Sequence, residues 1–130
     1  MNTPAPKAEP IKKIKENIWL KNTSHYIRAF WANLKNGSPA KKMYIIGVTG
    51  TKGKTTTTHL ISAILDAAGQ KNGRVSTVDF KIGPKKRVNN TNKTALPPWH
   101  LQPLLKEMVD AGCRYAVIEV SSHGLAQHRF

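Results

Sequence analysis

The sequence predicts an α/β fold, a parallel sheet layered between helices, and three observations carry that expectation. Short apolar, β-branched runs at 43–49, 74–80 and 115–120 read as buried strands. Residues 55–68 and 99–111 repeat apolar side chains at three- and four-residue intervals, the spacing of one helix face. The resulting order of strand, helix, strand, helix, strand is that of parallel strands joined by helical crossovers in three layers.

Residues 1–11 are rich in Pro, Ala and Lys and read as a tail. From 12 to 35 the pattern is that of a basic amphipathic helix: Leu20, Ile27, Phe30, Trp31 and Leu34 recur at helical intervals, with Lys21, Arg28 and Lys35 between them. Two readings of this helix stay open, packing on the domain that follows or contact with a membrane surface or partner. Asn36-Gly37-Ser38-Pro39 ends it, Gly as a left-handed cap and Pro as a block to continuation. Residues 1–42 thus form a basic leader and 43–130 a second unit. In that unit, apolar residues at 60, 61, 64, 65 and 68 mark a helix closed by Gly69. The polar, basic stretch 83–98 reads as a loop. Leu101, Leu104, Leu105, Met108 and Val109 mark one side of the next helix, which Gly112 closes. The last strand is apolar until Glu119, and no internal repeat is present.

Composition narrows the function classes. A chain of 130 residues is one domain or part of a larger one, and 39% hydrophobic residues suffice for a core. One cysteine, Cys113, excludes an internal disulfide framework. No apolar run reaches the roughly 18 to 20 residues of a membrane span, and the N-terminus lacks a signal-peptide core, so the expected location is cytoplasmic. The net charge is +14, with nine Lys/Arg against two Glu in 1–42 and twelve against five acids in 43–130. That balance suits nucleic acid, an anionic membrane or phosphorylated small molecules, and equally a protein of a lysine-rich proteome.

The stretch GVTGTKGKTTTTH, residues 47–59, narrows them further. A strict phosphate loop needs a Gly five residues before the Gly of Gly-Lys-Ser/Thr, and here that position is Val48. The context is nevertheless right, because the loop follows a predicted strand and opens a predicted helix. Gly50 and Gly53 let backbone amides approach phosphate oxygens, and the helix N-terminus adds unpaired N–H groups. Lys54 is placed to reach β- and γ-phosphates, and the Thr55 hydroxyl to ligate Mg²⁺. The fold expected is therefore a phosphate-loop (P-loop-type) parallel sheet. Glu119, at the carboxyl end of a buried strand, is the second expected metal ligand. Ser121-Ser122-His123 lacks the Gly-x-Ser-x-Gly elbow of a hydrolase, and His123 with His128 lacks zinc-ligand spacing. The run 121–129 reads better as substrate contacts beside the metal, with Arg129 suited to a carboxylate or phosphate.

The segments IGVTGTKGKTTTTHL (46–60), LQPLLKEMVDAGCRYAVIEV (101–120) and SSHGLAQHR (121–129) resemble the Mur ligase family. They are closest to the branch that adds the third amino acid to UDP-N-acetylmuramoyl-L-alanyl-D-glutamate. The resemblance covers about residues 43–130, and the family's loop begins at the Gly matched by Gly50, which accounts for Val48. It implies an ATP- and Mg²⁺-dependent amide-bond ligase in which a substrate carboxylate is phosphorylated and an amine then displaces phosphate. Carried over by position, Gly50, Thr51, Lys52, Gly53, Lys54, Thr55 and Thr56 match the ATP loop. Lys54 and Glu119 take catalytic roles, and Thr55 and Glu119 ligate Mg²⁺. Ser121, Gln127 and Arg129 match contacts to the UDP-muramoyl dipeptide. Thr94 matches the first Thr of a Thr-Thr-Pro substrate motif, where this chain continues with Ala95 and Leu96.

The family's remaining central-domain metal and adenine sites, its C-terminal amino-acid domain and its N-terminal uridine domain have no counterpart in this sequence. The chain therefore reads as the front part of a ligase, inactive in ligation by itself. A folylpolyglutamate synthase-like ligase is an alternative, although that group's loop reads Gly-Lys-Gly-Ser. A non-catalytic nucleotide-binding module is another. Nucleic acid is not an expected partner, because aromatic residues interleaved with basic ones are sparse beyond residue 43.

Overall fold

The computed structural model describes residues 23, 27, 30–91 and 93–121. Residues 30–35 are helical (α1), and the remainder of the amphipathic stretch from 12 to 35, apart from 23 and 27, lies outside the described residues. A short 3₁₀ turn at Pro39–Lys42 leads into β1 (Tyr44–Val48), α2 (Lys54–Ala67), β2 (Asn72–Val75), β3 (Asp79–Ile82), β4 (Lys85–Val88), α3 (Pro98–Asp110) and β5 (Tyr115–Glu119). All three helices close alike. The residue after Gly37, Gly69 or Gly112 donates its N–H to the carbonyl five residues back, on Asn33, Leu65 and Met108, with the glycine at φ near +70°.

The sheet is mixed, which corrects the expectation of three parallel strands. Its order is β1-β5-β2-β3-β4; β1, β5 and β2 are parallel, while β3 and β4 run antiparallel to their neighbours. The single strand expected at 74–80 is two strands. Ser76 accepts hydrogen bonds from the Val78 and Asp79 amides through its Oγ and so turns the chain back. The stretch 83–98, expected to be a loop, contains β4. Gly83, at φ 57°, and Pro84 form the two-residue turn between Ile82 and Lys85, the Gly-first arrangement of a type II′ hairpin. β4 escaped the hydrophobic pattern because Lys85, Lys86, Arg87 and Val88 are all exposed.

β1 also departs from expectation. It lies at the edge of the sheet, with Tyr44 and Ile45 exposed and only Val48 buried. The face of α2 that meets the sheet is not the apolar one either. Leu60 and Ile64 are exposed, and Thr58 and Ser62 are buried. Opposite them stand buried polar side chains: Ser62 donates to Asn72 (2.7 Å), and Lys81 donates to Asp66 (2.5 and 2.6 Å). Hydroxyls fit this face because each finds a partner there, Ser62 on the strand residue Asn72 and Thr58 on the Lys54 carbonyl of its own helix.

The apolar core lies on the other face, under α3. Leu101, Leu104, Leu105 and Met108 pack with Val75, Phe80, Leu96, Ala116, Ile118 and Val120, as the periodicity of α3 predicts. Alternation along β2 and β5 thus sends Val75 and Ile118 to α3, and Asn72 and Glu119 to the side of α2. Among the described residues no helix is long and apolar enough to cross a membrane. Ile27, Phe30, Trp31 and Leu34 of the leader are each more than half exposed.

Candidate functional site

The site is built where two parallel strands end side by side. β1 and β5 pair through Val48 and Glu119, their last residues, so the loop after β1 and the Glu119 carboxylate share one end of the sheet. Gly50 has φ 153° and Gly53 φ 75°, both values that L side chains rarely adopt. Gly53 caps α2 with no side-chain hydrogen bond, and the first turn of the helix carries no acidic residue. The positive end of α2 is therefore left to an anion from outside the helix. Thr51 and Lys52 are exposed at the crown of the loop. Lys54 and Thr55 open α2, followed by Thr56 in its first turn. The Lys54 ammonium donates to the Gly50 carbonyl (2.9 Å), so the lysine arm lies along the loop.

Glu119 is 2% exposed. The Thr55 hydroxyl donates to its carboxylate, at 3.1 Å from Oε1 and 3.0 Å from Oε2, and the Thr77 amide donates to Oε2 at 2.9 Å. Among the described residues no Lys, Arg or His forms an ion pair with it. A buried carboxylate whose described partners are all neutral leaves room for a hard cation as its counter-charge. A carboxylate and a hydroxyl side by side are the oxygen donors that Mg²⁺ takes when nucleotide phosphates complete its shell. No cluster of three or more His, Cys, Asp or Glu suited to a metal occurs among the described residues. The residues present fit Mg²⁺ shared with phosphates rather than a metal caged by protein alone.

Two of the expected substrate residues meet beside this centre. Thr94 and Ser121 line one cavity of about 490 Å³ with Lys93, Ala95, Pro97, Pro98 and Trp99. Thr94 also bonds Thr77, hydroxyl to hydroxyl, at 2.9 Å. Gln127 and Arg129, with His123 and His128, lie outside the described residues.

The sequence reading missed Thr77 and the network that holds it. Arg74 donates to both Asp79 oxygens (3.2 and 2.5 Å), and His59 Nε2 lies 3.1 Å from Asp79 Oδ1. Burial alone would raise the Asp79 pKa, but the Arg74 guanidinium and the Ser76 hydroxyl outweigh it and hold the carboxyl below its ordinary value. The available signal was Ser76 three residues before Asp79, a hydroxyl able to cap a turn. Inside an assumed continuous strand it carried no weight.

Comparisons with known proteins give the family. The family model "Mur ligase middle domain" matches residues 48–130. The chain is 49% identical over 90 residues to a UDP-N-acetylmuramyl-tripeptide synthetase of Roseiflexus sp. (strain RS-1), covering 69% of this chain and 18% of that protein. It is 44% identical over 103 residues to the UDP-N-acetylmuramoyl-L-alanyl-D-glutamate–2,6-diaminopimelate ligase of Geobacillus thermodenitrificans (strain NG80-2), covering 78% and 20% respectively. A solved structure of a UDP-N-acetylmuramoyl-L-alanyl-D-glutamate–2,6-diaminopimelate ligase superposes with a TM-score of 0.63 at 29% identity, over 75% of this chain and 20% of that one. The chain thus spans about a fifth of the length of these relatives.

Proposed function

Because the chain belongs to the Mur ligase family through its middle domain, we propose that it forms the Mg·ATP site of a ligase acting on a UDP-N-acetylmuramoyl dipeptide. The amino acid named for the Geobacillus relative and for the solved structure is 2,6-diaminopimelate, and it is the proposed amine substrate here. One observation carries the reading: Thr55, in the first turn after the glycine loop, holds both oxygens of buried Glu119.

Mg·ATP, when bound, would supply the phosphoryl group that activates the substrate carboxylate for attack by the amine. The protein's own part is placement. Amides at the start of α2 and Gly50 to Gly53 receive phosphate oxygens, and Lys54 adds a positive charge beside them. Thr55 and Glu119 hold the metal from the sheet side. Thr94 and Ser121, with Gln127 and Arg129 from the following segment, receive the muramoyl dipeptide. The ligation as a whole belongs to a polypeptide of the relatives' length; the 130 residues supply the nucleotide end of it.

Calorimetric titration of Mg·ATP into the chain tests this. Lys54 contributes a charge-assisted contact worth about 1.5–3 kcal/mol, so Lys54→Ala weakens binding about 10- to 150-fold. GTP binds nearly as well as ATP, because the loop meets phosphates and not the base. Equal affinities of wild type and Lys54→Ala would refute the reading.

A further inference from the structure

Residues 76–78 join β2 to β3, and each peptide of the turn is fixed by a different neighbour. Ser76 is fully buried; its N–H donates to the Asp79 carbonyl (3.0 Å), and its Oγ accepts from the Val78 and Asp79 amides (3.3 and 3.0 Å). Buried Asn89 adds two clamps, its side-chain amide donating to the Ser76 carbonyl (2.8 Å) and its backbone N–H to the Val78 carbonyl (2.9 Å). Arg74 grips Asp79 from the side. At the centre of this frame Thr77 directs two groups two ways. Its N–H donates to Glu119 Oε2, 42 residues away, and its hydroxyl meets the hydroxyl of Thr94, 17 residues away.

A hairpin needs neither of these contacts, since its own ladder and the Ser76 cap already turn the chain. We infer that Thr77 is a positioning residue that ties the metal-side carboxylate Glu119 to the substrate-side Thr94, so that nucleotide binding at one end is felt at the other. The inference rests on the Mg·ATP reading of Thr55 and Glu119. Its physical basis is a short shared element: a Glu119 carboxylate drawn toward a cation changes its bond to the Thr77 amide. A turn clamped at both flanking peptides passes that change to the Thr77 hydroxyl rather than absorbing it. Thr94 then shifts within the cavity it shares with Ser121.

The test is a titration of the ¹⁵N-labelled chain with Mg·ATP, followed by NMR at the amides of residues 55, 77 and 94. In wild type all three move with a common Kd. In Thr77→Val, which keeps the amide and the side-chain shape, residues 55 and 77 still move and the response at 94 is lost. Thr77→Ser, which retains the hydroxyl, restores it. Thr94→Val breaks the same bond from the other end and loses the response as well, so the test survives if Thr77→Val does not fold. A wild-type response at residue 94 in either valine variant overturns the inference and leaves the Mg·ATP reading intact. Absence of movement at residues 55 and 77 in the wild type overturns that reading, and the inference with it.

Discussion

The Thr55 hydroxyl lies 3.0 and 3.1 Å from the two carboxylate oxygens of Glu119, a residue 64 positions away at the end of a strand. The contact joins the first turn of α2 to the end of β5, where the buried carboxylate meets only neutral donors among the described residues. If it serves the proposed Mg·ATP site, it carries a cost to stability. Glu119→Gln keeps an acceptor oxygen for Thr55 and Thr77 and removes the charge. It is expected to stabilise the metal-free chain by about 0.5–2 kcal/mol, read as a higher urea midpoint with unchanged slope. A lower midpoint would show that the carboxylate is already compensated.

Gly73 is expected to be irreplaceable for a packing reason. A Cβ there would come within 2.3 Å of the Met108 sulfur, and Met108 is itself fully buried. Gly73→Ala therefore overpacks the contact between β2 and α3 and costs about 1–3 kcal/mol. Denaturant unfolding measures it. Met108→Ala in the same chain should relieve the clash, so the double variant should be less destabilised than the sum of the two singles.

Acid should find the polar face of the sheet first. The Arg74 guanidinium and Ser76 hydroxyl, acting against burial, hold Asp79 below its ordinary 3.8. The hydrogen bond from Lys81 holds Asp66 below the same value, with burial opposing and the Asn72 amide assisting. A carboxyl whose folded pKa is depressed stabilises fully above its unfolded value and loses that contribution as pH falls through the folded one. The stabilisation from both pairs is thus complete above pH 3.8 and disappears below it. Asp79 is the larger contributor, because its side chain is 18% exposed against 53% for Asp66, where solvent screens the pair. Melting temperatures from pH 7 down to 2 should show a shallower acid decline in Asp79→Asn than in wild type. Parallel curves would remove Asp79 from the account.

Much of this was legible in the sequence, and the misses share a cause. α3 was readable because its buried side is apolar, from Leu101 to Met108, and the glycine caps were readable because φ near +70° selects glycine. The loop was readable because its glycines, lysine and threonine stand between a strand and a helix. β4 was not, since an exposed edge strand of Lys, Lys, Arg and Val has no hydrophobic alternation to reveal it. The buried face of α2 does not follow from its apolar spacing, for the converse reason. Ser62 meets Lys81 and Asn72, and Thr58 is buried with its hydroxyl on the Lys54 carbonyl, so polarity there marks the inside. Thr77 was invisible because its contact with Glu119 is made by a backbone amide, which every residue but proline possesses, and its hydroxyl meets a threonine 17 residues away.

The central claim is that Glu119 and the loop hold metal and nucleotide together, and the most direct measurement compares ATP binding with and without Mg²⁺. Calorimetry on wild type should show Mg²⁺ tightening ATP by about 10- to 150-fold, the worth of one or two charge-assisted contacts of about 1.5–3 kcal/mol in total. In Glu119→Gln that gain should largely vanish, while binding of metal-free ATP through the loop persists. The same Mg²⁺ gain in both proteins would contradict the account, because the cation would then be held by the nucleotide alone and not by Glu119.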